Sequence, residues 1–294
     1  HTPFTAPLNA HITHILQTTT EEIKTPGVPL TPYSLQVDFP TLLMASTVME
    51  QMAQRGLHVL PDFVTVDEEQ ALLSHIAGQP LDAWVDVNGR WVQHYGYAFD
   101  YKHKQVGTTA DAISTTFPPV VTQILERSRT LAVFQQSTLS DSDDTTLLTF
   151  PEFNQLTFSQ YPIGSGISFH SDSHRSFTDV IVVISLQSPI TMEFRSPYYP
   201  TTEPGEKPAE TRPSIPAVMN PAFVDLPPRS LTVMAGEVRY GWEHAIKARK
   251  SDLLLDSGGI RPRQTRASLT IRQVNPAWSC NCKWSQLCDH CPSL

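Results

Sequence analysis

Apolar residues in the first half of the chain recur at the spacing of α-helices in two places. Residues 71–76 place alanine, leucine and isoleucine on one face, and the sequence TVDE at 65–68 is a capping box that predicts where this helix begins. Residues 120–125 repeat the spacing and predict a second helix. The pair Asn88-Gly89 between short apolar segments predicts a β-hairpin, because both residues tolerate the positive φ angles of a tight turn.

From about residue 150 the pattern becomes that of strands. Short apolar or alternating segments predict strands at 156–161, 168–172, 179–186, 191–195, 230–234, 244–246 and 266–274. Earlier in the chain, residues 56–64 predict a strand, and the aromatic-rich residues 94–101 predict another that is half buried. Many short strands with two preceding helices indicate a sandwich or barrel of β-sheets that carries helices on one side.

Residues 196–228 interrupt this series of strands. They contain nine prolines, and a proline donates no amide hydrogen to a strand ladder. We therefore expect a long surface insertion there instead of core strand. Residues 1–53 carry no motif and are expected to form an N-terminal extension.

Composition is that of a soluble globular chain, with 294 residues of which 40% are hydrophobic and 17% charged. The net charge of −8 creates no overall basic field that would attract nucleic acid. The longest apolar run, at 180–184, is too short to cross a bilayer, so we expect no membrane association. The sequence starts with His1 and shows no secretion leader, so we expect a processed N-terminus and no secretion.

A histidine and a carboxylate stand two residues apart at His170 and Asp172. In a strand, such side chains share one face at a spacing of about 6–7 Å, so both can reach one metal ion. A histidine from a distant strand would complete the facial triad of two histidines and one carboxylate that binds Fe(II) with open positions. His244 is the candidate for that third ligand.

Two arginines follow in the segment RASLTIR, at Arg266 and Arg272. They stand at even spacing, so a strand would point both side chains toward the same face. Planar guanidinium groups pair bidentately with carboxylates, and two of them beside a metal suit a small dicarboxylate. The order of these residues therefore predicts an Fe(II) and 2-oxoglutarate site.

The segments SQYPIGSGISFHSD, WEHAI and RASLTIR, in that order, resemble the AlkB family of Fe(II)/2-oxoglutarate dioxygenases. The segments HSDSH, RSLTVMAGEVRYGWEH and CNCKWSQLC are similar to the branch of that family that hydroxylates wobble uridines in tRNA. The resemblance covers roughly residues 56–288. It implies a mainly β fold with flanking helices, a double-stranded β-helix (jelly-roll) core, over 54–278, followed by a zinc-binding tail at 279–294.

The resemblance also implies roles for individual residues. His170, Asp172 and His244 would bind iron. Arg266, with the hydroxyl of Tyr161, would hold the distal carboxylate of 2-oxoglutarate, and Arg272 would lie near its metal-chelating carboxylate. Ser159 stands where the family usually has asparagine, so it is the weaker candidate for co-substrate contact.

The four cysteines lie within the last fifteen residues, at Cys280, Cys282, Cys288 and Cys291. Such clustering favours thiolates on a metal over a disulfide framework, and structural zinc takes four ligands. The resemblance implies that His174 joins Cys280, Cys282 and Cys288. Spacing alone leaves a site with Cys291 open, with His290 as a third candidate.

The substrate implied by the resemblance is 5-methoxycarbonylmethyluridine in a tRNA anticodon loop, hydroxylated on its methylene carbon, with ascorbate as the reductant in vitro. A methyltransferase is expected as a partner or fused domain, and the cytoplasm as the location, with the nucleus as a second compartment. One alternative is an oxidative demethylase of N-alkylated bases in DNA or RNA. Another is a zinc-stabilised RNA-binding module without activity.

Three further expectations concern RNA. Residues 33–39 could be a strand left over from an RNA-binding domain, and aromatic residues within 94–101 could stack on a base. Basic residues close to His244 are the candidates for contact with phosphates, with a solvated charged face as the alternative: Arg239, Lys247, Arg249 and Lys250.

Overall fold

The computed structural model describes residues 48–134, 150–199, 220–254, 258–275, 277 and 279–290. Most of the predicted N-terminal extension, including its possible strand at 33–39, lies outside these residues, as do residues 200–219 of the predicted insertion. Residues 48–53 are helical. Within the described ranges, no helix combines the length and the apolar character needed to cross a membrane.

The elements follow one another in an order that fits the predicted pattern. The first part of the chain forms β1 (Leu57–Leu60), α1 (Val66–Ala77), β2 (Val85–Val87), β3 (Arg90–Tyr95), β4 (Phe99–Asp100), β5 (Gln105–Val106) and α2 (Pro119–Ser128). The second part forms β6 (Gln155–Tyr161), β7 (Ile167–His170), β8 (Phe177–Leu186), β9 (Ile190–Arg195), β10 (Ala222–Leu226), β11 (Leu231–Met234), α3 (Gly236–Gly241), β12 (Glu243–Ile246), β13 (Ser251–Leu253), β14 (Ile260–Pro262) and β15 (Arg266–Val274).

Two antiparallel sheets form the centre of the fold. The larger has seven strands in the order β1-β11-β8-β15-β6-β3-β2, and the smaller has four in the order β10-β9-β12-β7. Two further pairs, β13-β14 and β4-β5, lie outside these sheets. Strands that are neighbours in space are mostly distant in sequence, which is typical of a jelly roll.

Strand β8 explains how the large sheet is buried. Val180, Val182 and Ile184 belong to the apolar cluster that includes α1 and α2. Ile181 and Val183 belong to a second cluster, which includes β9 and β10 of the small sheet. Because both faces of β8 are covered, its sequence is a continuous apolar run and does not alternate.

The helix α1 begins as its capping box predicts. The Thr65 hydroxyl accepts a hydrogen bond from the Glu68 amide at 3.2 Å, and the Glu68 carboxylate accepts one from the Thr65 amide at 2.9 Å. The same carboxylate pairs with Arg127 of α2 at 2.6 Å. Capping and helix pairing therefore share one glutamate, and the two predicted helices are confirmed.

The prediction that residues 196–228 form only a surface insertion is wrong for the part that forms β10. This strand pairs with β9 along its whole length, and Ala222, Val224 and Leu226 are buried. Its prolines, at 221 and 227–228, lie just outside the strand. They therefore bound the strand without interrupting its ladder, and β10 is an edge strand with a single neighbour.

The single strand predicted at 94–101 is divided in two. Gly96 has a φ angle of +75°, and a Cβ atom there would lie 1.8 Å from the Asn154 carbonyl oxygen. The close approach and the left-handed backbone both require glycine, so β3 ends at Tyr95. The predicted hairpin is confirmed, since Asn88 and Gly89 connect β2 to β3 with φ angles of +55° and +81°.

Two positions on α1 test how much the helix-side core, the apolar cluster that includes α1 and α2, contributes to stability. Leu72 is fully buried, whereas Val66 on the same helix is 62% exposed. We expect Leu72→Ala to lower the free energy of unfolding by about 2–5 kcal/mol, because it leaves a cavity. Val66→Ala is the matched control and should change it by less than about 0.5 kcal/mol. Urea unfolding measures both, and equal effects would contradict the assignment of this core.

Candidate active site

The polar faces of two adjacent strands form the wall of a cavity of about 1150 Å³. Strands β6 and β15 are paired so that Arg266 lies opposite Tyr161 and Ser268 opposite Ser159. The side chains of these strands that line the cavity are Thr157, Ser159, Tyr161, Arg266, Ser268, Thr270 and Arg272. The intervening residues, such as Phe158 and Leu269, enter the helix-side core. Alternation in two strands thus separates the cavity from the core.

Three potential metal ligands converge at one side of this cavity. His170 at the end of β7 is paired with His244 of β12, and their ring centroids are 4.4 Å apart. Asp172 follows two residues after His170, and its Oδ2 atom lies 3.8 Å from His244 Nε2. The ligand atoms of the three residues all lie within 4.8 Å of one another. The structure therefore brings together the triad that the sequence predicts, and its role as the iron site stays a prediction.

Neighbouring groups leave one atom of His170 and one atom of Asp172 available to bind a metal. His170 Nδ1 is 2.9 Å from the Ser168 carbonyl oxygen and donates to it, so Nε2 is left for a metal. Arg272 contacts the Oδ1 atom of Asp172, with Nε at 2.9 Å and Nη2 at 2.7 Å. Oδ2 is therefore free to face His244. These contacts orient both side chains before any metal binds.

The protonation states of the triad suit a metal. Burial lowers the pKa of His244 to about 3, with further lowering from the nearby His170. Burial alone would raise the pKa of Asp172, but the charges of Arg272 and the two histidines outweigh it and hold that pKa well below its usual range. Near neutral pH the site therefore presents neutral imidazole and ionised carboxylate, the forms that metals bind.

Arg266 is a buried cation that has no acidic partner among the described residues. Arg266 is only 3% exposed, and its Nη2 atom donates a hydrogen bond to the Ser185 hydroxyl at 2.8 Å. Its guanidinium lies over the Tyr161 ring, 5.3 Å from the centroid, while Nε has no hydrogen-bond partner. Among the described residues, no carboxylate is within ion-pair distance of it. Burial lowers its pKa, so a carboxylate ligand would relieve the cost of the buried charge.

Arg272 lies beside the triad. Its guanidinium is paired with Asp172 and also donates to Gln155 Oε1 at 2.9 Å. The motif alone could not identify these partners, because Gln155 lies on β6 and Asp172 in the segment after β7, both distant from Arg272 in sequence. The expectation that Arg272 lies near the metal-chelating carboxylate of 2-oxoglutarate stays a prediction. We infer that Arg272 positions the carboxylate ligand.

A second cluster joins the C-terminal tail to the strand region that carries the triad. His174, Cys280, Cys282 and Cys288 present ligand atoms that all lie within 4.8 Å of one another. Cys282 Sγ is 3.4 Å from His174 Nδ1. Tetrahedral zinc bonds of about 2.3 Å to sulfur and 2.0 Å to nitrogen place such ligand atoms about 3.5 Å apart. Cys291 lies outside the described residues.

The electrostatics of this second cluster also favour a cation. Burial and the nearby Arg239 lower the pKa of His174 to about 4, which keeps the imidazole neutral. Burial and the neighbouring thiols raise the pKa of Cys282 to about 12. Several thiolates at this distance therefore require a bound positive charge, and the residues fit a structural zinc ion.

Arg239 is a functional residue that we assigned wrongly from the sequence. We expected it to contact phosphate, but it is buried and donates to backbone carbonyl groups of the segment after Asp172. Its four acceptors are the carbonyl oxygens of Asp172 and Ser173, both at 2.9 Å, and of Phe177 and Thr178, both at 3.2 Å. A basic residue near a histidine gives no sequence signal for such a role.

Asp289 is a residue that sequence reasoning missed. Its carboxylate accepts hydrogen bonds from the Ser173 hydroxyl at 2.6 Å and from the amides of His174 and Arg175 at 3.0 and 3.2 Å. It thereby joins the tail to the same segment that Arg239 holds. The only signal available in the sequence was its position next to Cys288.

Two more of the expected phosphate contacts are engaged elsewhere. Lys247 and Arg249 pair with Glu193 at 2.9 and 3.1 Å, and Arg249 also pairs with Asp252 at 3.0 Å. Glu193 is fully buried, so these cations neutralise a charge inside the fold. The expectation of a basic RNA patch around His244 is therefore wrong for Arg249 and Arg239. Lys250 is exposed.

The facing sheets, the triad and a buried arginine without an acidic partner among the described residues define a metal-dependent oxygenase of the jelly-roll class. Residues 56–272 match the 2OG-Fe(II) oxygenase superfamily. The solved structure of OsALKBH1 shares the fold, with a TM-score of 0.52 and 15% identity over 74% of this chain and 98% of that one. The predicted double-stranded β-helix is thus confirmed.

Two curated relatives are similar to most of this chain. An Arabidopsis thaliana protein named "Alkylated DNA repair protein ALKBH8 homolog" is 37% identical over 80% of this chain and 62% of its own length. A Xenopus tropicalis protein named "tRNA (carboxymethyluridine(34)-5-O)-methyltransferase alkbh8" is 29% identical over 88% of this chain and 38% of its own length. The chain belongs to the 2OG-Fe(II) oxygenase superfamily, and these relatives confirm its resemblance to the AlkB family. It spans less than two thirds of either relative.

Membership in this superfamily implies Fe(II) as the metal and 2-oxoglutarate as the co-substrate. The residues fit both groups. The ligand atoms of the triad lie close enough together to bind one metal ion, and among the described residues Arg266 has no acidic partner, so it can bind a carboxylate. Ser159 lines the same cavity, but nothing in its surroundings gives it a specific role toward the co-substrate.

The role of Arg266 can be tested with a neutral substitution. We expect Arg266→Gln to raise the 2-oxoglutarate concentration needed for half-maximal decarboxylation about 100-fold, because the carboxylate loses a charge-assisted bidentate partner. Arg129→Gln, which changes a partly exposed arginine after α2 that does not line the cavity, is the control and should keep the 2-oxoglutarate requirement of the unchanged protein. An unaltered 2-oxoglutarate requirement in Arg266→Gln would remove Arg266 from the co-substrate site.

Proposed function

We propose that this chain is an Fe(II)/2-oxoglutarate-dependent oxygenase that hydroxylates a modified wobble uridine in tRNA. One observation carries the oxygenase assignment. The His170, Asp172 and His244 triad lines the same cavity as Arg266, a buried cation that has no acidic partner among the described residues. The substrate assignment is supported by similarity to relatives whose names include ALKBH8.

When bound, Fe(II) and 2-oxoglutarate supply the activation of O2, with oxidative decarboxylation of the co-substrate to succinate and transfer of one oxygen atom to a C–H bond. The residues of the chain hold and orient these groups. The triad keeps three ligand atoms on one side of the metal site, Arg272 fixes the carboxylate ligand, and Arg266 receives the distal carboxylate.

The proposed target carbon is the methylene group of 5-methoxycarbonylmethyluridine. The name of the Xenopus relative refers to a methyltransferase that acts on carboxymethyluridine at position 34, and such an activity would supply the methyl ester. A wobble base is unpaired in the anticodon loop and can enter a cavity without breaking a duplex. We propose that the chain acts in the cytoplasm, together with a methyltransferase as a partner or fused domain.

We also propose that His174, Cys280, Cys282 and Cys288 bind one structural zinc ion. The ion would fasten the C-terminal tail to the segment that follows Asp172. The iron site and the zinc site are distinct, since His174 lies in the second cluster and Asp172 in the first.

The proposed activity is tested by nucleoside mass spectrometry of tRNA incubated with the protein, Fe(II), 2-oxoglutarate and ascorbate. We expect a gain of one oxygen on 5-methoxycarbonylmethyluridine. Asp172→Ala should abolish it without loss of folding, because the substitution removes a ligand from a cavity wall. Asp82→Ala, which changes an exposed carboxylate, is the control. Demethylation of N-alkylated bases with the wobble uridine unchanged would overturn the assignment in favour of a demethylase.

The zinc proposal is tested by metal analysis of purified variants. Cys282→Ser and His174→Ala should each lose one zinc ion per chain and unfold at a lower temperature, because the binding energy of a structural metal contributes to folding. Cys291→Ser is the control and should keep the ion. Loss of zinc in Cys291→Ser alone, with retention in the other two, would establish the all-cysteine site instead.

A further inference from the structure

A second cation that has no acidic partner among the described residues lines the cavity, at the first residue of β3, where it hydrogen-bonds to Tyr101. Arg90 is 7% exposed, and its Nε atom has no hydrogen-bond partner. Its guanidinium lies over the ring of Tyr101, 5.6 Å from the centroid. Within the described part of the chain, no carboxylate is at ion-pair distance from Arg90. A buried guanidinium in this state retains donors for an oxygen ligand.

The location of Arg90 connects it with the metal side of the cavity. Arg90, His170 and Asp172 all line the cavity. The turn before Arg90, Asn88 and Gly89, lines the same space, as does Tyr101. The β2–β3 hairpin therefore carries a cation on the wall of the cavity that also contains the triad.

The other two arginines of the cavity wall each already have a carboxylate assigned to them. Arg272 is neutralised by Asp172, and Arg266 matches the distal carboxylate of 2-oxoglutarate. The opposite end of 2-oxoglutarate is bound at the metal in this superfamily. Arg90 is consequently a donor that neither the triad nor the co-substrate uses.

We propose that Arg90 is a specificity-determining residue that donates hydrogen bonds to the carbonyl or carboxylate oxygens of the substituent on C5 of the substrate pyrimidine. This inference rests on the proposed function. A planar guanidinium fork fits a planar carboxyl or ester group, and its contact would place the adjacent methylene carbon toward the metal. A backbone phosphate fits less well, because Arg90 is buried whereas Lys104, which also lines the cavity, is exposed.

The test compares three anticodon stem-loops that differ only at the wobble position, which carries uridine, 5-carboxymethyluridine or 5-methoxycarbonylmethyluridine. Their dissociation constants are measured without O2, with Mn(II) in place of Fe(II) and with 2-oxoglutarate present. The unchanged protein should prefer the substituted loops. Arg90→Gln should reduce that preference about tenfold, the worth of one hydrogen bond to a charged group, while its affinity for 2-oxoglutarate stays unchanged. Arg90→Lys should show an intermediate preference, because it keeps the charge but loses the fork.

Lys104→Gln is the matched control, since it removes one positive charge from the same cavity. It should weaken all three loops alike and leave the preference intact. An Arg90→Gln protein that melts normally and keeps the full preference overturns the proposal, as does a loss of 2-oxoglutarate affinity. If Arg90→Gln does not fold, a full preference in Arg90→Lys overturns it. An unchanged protein that binds all three loops equally overturns both this inference and the proposed substrate.

Discussion

The arrangement of both metal-ligand clusters depends on how one buried segment satisfies its backbone groups. Residues 172–178 leave carbonyl groups inside the protein, and the guanidinium of Arg239 donates to four of them. Asp289 accepts from two amides of the same segment. An unpaired buried backbone group is costly, so these side chains fix the segment. Because Asp172 and His174 lie on it, and α3 leads directly into β12 with His244, the position of each cluster follows from this set of hydrogen bonds.

The cavity is polar on one wall because two strands alternate in register. Within 266–272, each polar residue of β15 lies opposite a polar residue of β6, so serine, threonine, tyrosine and arginine face the cavity while phenylalanine, leucine and isoleucine face the helices. This arrangement concentrates positive charge in a chain whose net charge is −8. Local geometry, not overall charge, therefore governs which anions the site accepts.

Several basic residues show why sequence distance to the site is a poor guide to function. Arg239, Lys247 and Arg249 are neighbours of His244 in sequence, yet all three are engaged by carbonyl groups or acids from other strands. Arg90 is far from the motifs in sequence and nevertheless lines the cavity. A cation that has a partner inside the fold cannot be distinguished by sequence pattern from one that awaits a ligand. The difference depends on contacts between distant strands.

The sequence alone determined the two helices, most strands and the residues of the His170, Asp172 and His244 triad. It also determined that Arg266 and Arg272, which are an even number of residues apart, point to the same face of their strand. These features depend on local periodicity, capping and strand alternation, which are properties of short segments. Only the tertiary structure decided that β10 is a core strand, since its partner β9 is distant in sequence. It also decided that Arg272 pairs with Asp172, and that Arg266 and Arg90 have no acidic partner within the described ranges. Charge pairing in a jelly roll is set by which strands become neighbours, and that information is spread over the whole chain.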